Sequence, residues 1–377
     1  MLALAFGVVL GPRVIGLVDP SKWPDLPFLT EELARVTLAI GLMGVALRIP
    51  SGFYKKYWKQ VLFVITVLLA CMWIISGIFI WLFTGYSFLI SMLAASALAP
   101  TDPIVASSIV TGETAEKNIP AKLRHFISAE SGFNDGLGYP FMMICLLLIQ
   151  KPVGQAVFEW VWRVMLWEIG GAVIFGFLFG FITGKILTFA ERKNIIEYES
   201  ILAFSLAVSL IALGLGQLIG TDGILVVFVT GVAFAQTIHE QTRVHHEHVQ
   251  EAINTFFTLP SFFLLGAIIP WETWGKLNLP LVTFCALMIL LFRRLPAAFL
   301  FSRLLDPPLL NSRDTLFYGW FGPIGIAALY YSVHILSESH NYSAGELAWG
   351  IGTLTICMSV IIHGATSTYL TKKMFTH

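Results

Sequence analysis

Two acids, Asp102 and Asp135, stand inside apolar runs of this chain, in APTDPIVASS and SAESGFNDG respectively. A carboxylate at the centre of a bilayer costs several kcal/mol, and such residues mark ion or proton pathways. Pro100 and Pro103 flank the first acid. Proline inside a helix removes a backbone hydrogen bond and clashes with the turn before it. A helix break is therefore expected at Asp102, with freed carbonyls that only protein or a water-filled cavity satisfies at membrane depth. Counted from the nearest basic loop, Asp102 lies about 15 Å deep and Asp135 about 18 Å deep. Ser131 and Asp135 are four residues apart and share a helical face. Gly132 and Gly136 form a small-residue face that lets another helix come close.

A second interruption, Gly322-Pro323-Ile324-Gly325, falls about 15 Å deep on a segment that runs the opposite way. Two broken helices at one depth and opposite direction point to an inverted repeat, where substrate binds at the meeting of the breaks. An ordinary proline kink is the competing reading of this segment. Arg293 and Arg294, in LLFRRLPAAF, sit about 14 Å from the basic end at Arg303. They are candidates to balance Asp135, Asp102 or Glu130, although either one is able to snorkel to the interface.

The elements that position these groups are long apolar segments. Of 377 residues, 56% are hydrophobic and 12% charged, against about 25% charged in a soluble domain. About twelve segments are long enough for a hydrocarbon core of ~30 Å. They run from Leu2 to Val18, Leu33 to Ile49, Val61 to Phe83, Phe88 to Val110, Phe126 to Ile149 and Val164 to Phe189. The second six run from Ser200 to Ile219, Gly223 to Ile238, Ile253 to Pro270, Leu281 to Phe301, Leu316 to Leu336 and Leu347 to Tyr369. Their length and lack of alternation predict helices rather than a barrel. The fold class is an all-α polytopic membrane protein. No soluble domain is expected at either end, and the N-terminus has no basic region or cleavage site of a signal peptide.

The loops carry the orientation. Lys55, Lys56, Lys59, Lys117, Lys122, Arg124, Arg192, Lys193, Arg243, Arg303, Arg313, Lys372 and Lys373 fall on alternate loops, and the intervening loops hold few cations. The positive-inside rule assigns the basic set to the cytoplasm. Trp23, Trp58, Trp81, Trp160, Trp162, Trp271 and Trp274, near segment ends, are expected as interfacial anchors. The formal net charge is zero, which argues against a nucleic-acid partner. Cys71, Cys145, Cys285 and Cys357 lack disulfide or zinc spacing and are expected to pack. His239, His245, His246 and His248 are expected on a solvated cytoplasmic loop, with pH sensing or metal binding as the sharper alternatives. His363 is expected to make a satisfied polar contact within the last span. Gly180 to Lys185 has the wrong spacing for a phosphate loop.

The stretches APTDPIVASSIVTG, IPAKLRHFISAESGFNDGLGYPF, FRRLPAAF and GWFGPIGIAAL resemble the monovalent cation/proton antiporters. The nearest branch is the fungal-type sodium/proton antiporters of the first cation/proton antiporter family. The resemblance covers almost the whole chain. It implies thirteen helices in an inverted-repeat sodium/proton antiporter fold with broken crossing helices, a core domain and a dimerisation domain. The first segment here is similar to the family's second helix. By this resemblance the core is formed by about residues 61–149 and 281–371, and the interface largely by 1–49 and 164–270.

Carried over by match, Asp135 of the Asn134-Asp135 pair is the ion- and proton-binding carboxylate. Asp102 of Thr101-Asp102-Pro103 supports it at the helix crossing, and Ser131 and the Thr101 backbone add oxygens. Glu130 resembles a glutamate that pairs with an arginine of the later broken helix. Ile324 stands where that arginine is expected, so Glu130 either stays neutral or finds another partner, for which Arg293 or Arg294 is the best candidate. The implied function is exchange of Na+, Li+ or K+ for H+ across the cell membrane by alternating access, in a homodimer, with no cofactor. Hard cations suit oxygen ligands, and a buried carboxylate that takes either a cation or a proton couples the two ions. A cation channel lacks a filter sequence or gating helix here, and an intramembrane aspartyl protease lacks its Tyr-Asp and Gly-x-Gly-Asp motifs.

Overall fold

A computed structural model describes residues 1–103, 105–106, 112–193, 195, 198–305, 311–339 and 342–375. Among them there are helices and no strands. In chain order the main helices are α1 (Leu2–Leu10), α2 (Leu26–Arg48), α3 (Phe53–Thr84), α4 (Phe88–Leu98), α5 (Gly112–Asn118), α6 (Ala121–Gln150), α7 (Val153–Arg192) and α8 (Tyr198–Leu218). They continue with α9 (Gly223–Ala235), α10 (Glu240–Ala267), α11 (Leu279–Phe292), α12 (Leu295–Leu300), α13 (Ser312–Trp320), α14 (Ile326–Glu338) and α15 (Tyr342–Phe375). Each expected apolar segment falls on one of these helices or on a pair of them. The far end of the fourth, positions 104 and 107–110, lies outside the described residues.

Among the described residues, five stretches are long and apolar enough to cross a bilayer: Phe53–Thr84, Ala121–Gln150, Val153–Arg192, Leu279–Leu300 and Ser343–Ser367. The first segment differs from expectation. Its helix stops at Leu10 rather than running to Val18, about 14 Å of rise. Pro12 follows immediately and Gly16 adopts a positive φ of 71°, which together turn the chain. Helix α7 includes a π-helical stretch, Trp160–Gly170.

The second half of helix α2 is enclosed. Every residue from Thr37 to Arg48 is buried, because α6, α9, α10 and α14 all pack on it. The helices group by contact. One set joins α1, α2, α7, α8, α9 and α10; the other joins α3, α4, α6, α11, α14 and α15. Helices α6 and α9 meet between the sets through the Gly132/Gly136 face. A Cβ at Gly132 would strike the Phe228 ring, and one at Gly136 would lie 2.7 Å from Leu225 Cβ. Local caps follow the sequence: Asp25, Asp222 and Asn311 accept backbone amides at the starts of α2, α9 and α13.

Of the tryptophans, Trp23, Trp58, Trp81, Trp162 and Trp271 are exposed, as interfacial anchors require. Trp274 is instead buried, its indole N–H donating to the Gly350 carbonyl at 2.9 Å. Cys145, Cys285 and Cys357 are buried and Cys71 half-buried.

Candidate functional site

Both expected breaks are present, and they cross. Helix α4 ends at Leu98 and the chain passes Pro100-Thr101-Asp102 in non-helical form. Helix α13 ends at Trp320 and α14 begins at Ile326, with Phe321 to Gly325 non-helical between them. The Asp102 amide donates to the Pro323 carbonyl at 2.9 Å, which ties one break to the other. The two prolines and the glycines explain the shape. Prolines remove donors, and a Cβ on Gly325 would overlap the Asp102 carboxylate.

A break exposes unpaired amides at one half-helix start and unpaired carbonyls at the other half-helix end. Fixed charges meet both here. Asp102 is 1% exposed. Its carboxylate accepts the Ile326 amide, at the positive end of α14, and the Val105 amide at 3.1 Å. The Arg293 guanidinium donates to the Leu98 carbonyl at the negative end of α4, and to Gly322 O at 2.6 Å. It also reaches Pro100 O at 3.3 Å. Arg293 is 1% exposed and so does not snorkel. The arginine pair itself interrupts a helix, since α11 ends at Phe292 and α12 restarts at Leu295 with Pro296 in its first turn. That interruption frees both guanidiniums to turn inward.

Arg294 takes the other role. Its Nη2 donates to Glu130 Oε2 at 2.5 Å, and Nη1 to Phe321 O at 3.2 Å. Its guanidinium lies 4.0 Å from the Tyr318 ring centroid. Glu130 is fully buried. Ile324, where the family pattern has an arginine, is fully buried and uses only its backbone: its amide donates to Ser359 Oγ at 2.8 Å. Ser359 in turn meets His363 Nδ1 at 3.0 Å, and His363 Nε2 meets Trp320 O at 3.1 Å. His363 is thus a brace for the second break. We expect Arg294→Met to lower the unfolding midpoint strongly, since it leaves Glu130 buried without a cation, a loss of about 3–5 kcal/mol. The double variant Glu130→Gln/Arg294→Met should regain part of that loss in a thermal double-mutant cycle. Additive losses would contradict the pairing.

The site residues from α6 meet the first break directly. The Thr101 amide donates to Asn134 Oδ1 at 3.1 Å, and Asn134 Nδ2 donates to Thr101 Oγ1 at 2.8 Å. Thr101 Oγ1 and Ser131 Oγ lie 3.1 Å apart. Asp102 and Asp135 each follow a member of the bonded Thr101–Asn134 pair, so the two acids flank it. Asp135 is fully buried. Unlike Asp102, neither of its carboxylate oxygens meets a hydrogen-bond partner among the described residues. Its backbone carbonyl accepts the Tyr331 hydroxyl, so α14 holds the Asp135 backbone and leaves the side chain unengaged. Pro103 is the first helical residue after Asp102, where the Ala106 amide donates to the Asp102 carbonyl at 3.0 Å. Tyr331 and Ser359 carry no motif that marks them in sequence, and their roles emerge only from packing.

The histidine cluster is not a loop. His239 immediately precedes α10, and His245, His246 and His248 lie within it. The polar stretch is helical because one face packs: His246 is fully buried, with Nδ1 3.0 Å from Ser205 Oγ. Among the described residues no group of three or more metal-ligating side chains assembles. Burial pushes the His246 imidazole down from 6.5 to about 4. Between those values the unfolded chain binds a proton that the folded chain refuses, so stability falls as pH drops through that window. His246→Gln should flatten this acid loss of thermal midpoint between about pH 6.5 and about 4. An equal pH slope in the variant would contradict the buried neutral imidazole.

Known proteins resemble the chain throughout. The transmembrane sodium/hydrogen exchanger family matches residues 1–373. Na(+)/H(+) antiporter 2 of Zygosaccharomyces rouxii is 31% identical over 97% of this chain and 48% of its own length. A probable Na(+)/H(+) antiporter of Schizosaccharomyces pombe is 32% identical over 97% of this chain and 51% of its own. The chain therefore spans about half the length of these curated relatives. The solved structure of the sodium proton antiporter MjNhaP1 from Methanocaldococcus jannaschii at pH 8 is similar, with a TM-score of 0.78 and 20% identity. It covers 100% of this chain and 92% of that one. The architecture is the all-α polytopic fold expected from the motifs.

Proposed function

The chain belongs to the sodium/hydrogen exchanger family and is a multi-pass membrane protein, and from that premise we propose that it exchanges Na+ for H+ at Asp135. The observation that carries the reading is the fully buried Asp135 carboxylate, whose oxygens meet no hydrogen-bond partner among the described residues, while Asp102, Glu130, Arg293 and Arg294 are each engaged. An anion so placed takes up a proton or a small cation to lower its burial cost. It does not hold both, and that exclusion couples the two ions.

Surrounding groups prepare the site. Asp102 and Arg293 neutralise opposite ends of the broken helices, and Arg294 neutralises Glu130. The Thr101–Asn134–Ser131 cluster supplies neutral oxygens beside Asp135. A cation at Asp135 then adds a charge to a balanced centre rather than competing with a resident one. The two contact sets of helices act in this scheme as a core, about 61–149 and 281–371, and an interface, largely 1–49 and 164–270. Rocking of one against the other exposes Asp135 to each side in turn, and the interface helices pair two copies in a homodimer.

Proteoliposomes with an imposed pH gradient test the function. Added Na+ should collapse the gradient and choline should not; Li+ and K+ report selectivity. A gradient that persists under all three alkali cations would contradict the assignment.

A further inference from the structure

A cavity of about 250 Å³ lies beside the Gly220–Gly223 turn, on the side that the loop charges assign to the exterior. Its wall includes Tyr139, Glu168, Asp222, Tyr330, His334 and Arg35. Tyr139 follows Asp135 by four residues in α6, one helical turn or about 6 Å along the axis. Tyr330 precedes Tyr331, whose hydroxyl binds the Asp135 carbonyl. The cavity thus stands directly outward of the central carboxylate.

Glu168 is 8% exposed. Its Oε1 accepts from Arg163 Nε at 2.9 Å. Its Oε2 is shielded and meets no hydrogen-bond partner among the described residues. Asp222 is held next to it, because the Asp222 amide donates to the Glu168 carbonyl at 3.0 Å. Asp222 Oδ1 caps α9 at the Leu225 amide, 2.7 Å away.

The cations nearby are already engaged. Arg35 contacts Glu31 at 2.5 Å and also Glu32, and His334 Nδ1 faces the same Glu31 oxygen at 2.9 Å. Arg163 is shared by Glu159 and Glu168, and Lys151 also sits on Glu159. The wall itself carries two carboxylates, Glu168 and Asp222, against one fixed cation, Arg35, with His334 beside it; Glu31, Glu32, Glu159, Arg163 and Lys151 form the ion pairs around it. A concave wall with surplus negative charge focuses the field and concentrates cations. The Arg35 guanidinium in that wall leaves too little surplus to strip a divalent ion of its water.

We propose that this cavity, whose Tyr139 wall stands one helical turn outward of Asp135, is a second, outer site for a monovalent cation, held by the carboxylates of Glu168 and Asp222. The proposal rests on the reading of Asp135 as the carrier only for its purpose, which is to load the carrier from the outer side. The cation binds without covalent change.

Equilibrium binding of radioactive 22Na+ to the full chain in detergent tests it. The wild type should bind two ions, and Asp135→Asn one. In the Asp135→Asn background, Glu168→Gln should weaken the remaining ion at least tenfold. Asp222→Asn should do the same while its amide oxygen preserves the cap on Leu225. An unchanged thermal midpoint in each variant shows that the fold is kept. If Asp135→Asn alone removes all binding, or if Glu168→Gln leaves the residual ion untouched, the outer site is overturned. Binding that ignores Asp135→Asn but falls with Glu168→Gln supports the outer site and overturns the carrier role of Asp135 instead.

Discussion

Asp135→Asn is expected to abolish sodium-driven proton movement, a loss of at least a hundredfold, while the protein remains folded. The substitution is nearly isosteric and removes only the ability to gain and lose charge. In water a carboxylate and an amide differ little in packing. Here the carboxylate is fully buried and its oxygens lack partners among the described residues, so ionising it costs several kcal/mol. Asparagine removes that cost. The thermal midpoint should therefore stay level or rise as activity disappears, and the midpoint and flux in proteoliposomes are measured on the same preparation. A variant that loses activity because it unfolds would speak for a structural Asp135. A variant that keeps robust exchange would remove Asp135 from the mechanism altogether.

The second large effect is at Arg293. Replacement by leucine leaves the carbonyls of Leu98, Pro100 and Gly322 without their buried donor. Each orphaned buried acceptor costs about 1–3 kcal/mol, and three together with the lost packing are comparable to a typical stability margin of ~5–15 kcal/mol. Arg293→Leu should yield little folded protein, judged by a monodisperse peak in detergent. Arg293→Lys keeps the charge that faces the end of α4 but has no planar fork to span both breaks. It should fold with a lowered midpoint and reduced exchange. If leucine is tolerated with an unchanged midpoint, the helix-end compensation described for Arg293 is wrong.

These two residues show what could be foreseen from sequence and what could not. The breaks were legible because Pro100, Pro103, Pro323 and the neighbouring glycines act on their own backbone, whatever packs around them. The Asp135 face was legible for a similar reason: Ser131, Gly132, Asp135 and Gly136 sit at helical spacing inside an apolar run. The partner of each charge was not legible. Glu130 and Arg294 are 164 residues apart and Glu31 and His334 are 303 apart, and only tertiary packing decides which guanidinium turns which way. Equal spacing left Arg293 and Arg294 interchangeable, yet one caps the helix breaks and the other pairs with Glu130.

The polar stretch from Glu240 to Gln250 shows the opposite error. Its charge and histidines look like a solvated loop, but Arg243, His246 and Gln250 recur at helical intervals and are all buried. That periodicity was the available signal, and composition obscured it. The tryptophan at 274 likewise looks like its exposed neighbour Trp271, because an indole at a segment end gives no sign of whether it faces lipid or protein.

Competition between a proton and a cation at one carboxylate is the centre of this account. Proton release on adding Na+ to weakly buffered protein in detergent measures it most directly. The wild type should release protons as Na+ binds, more at acidic than at alkaline pH, and Asp135→Asn should lack that component. Sodium binding at Asp135 with no proton released at any pH, or the same release from Asp135→Asn, would contradict it.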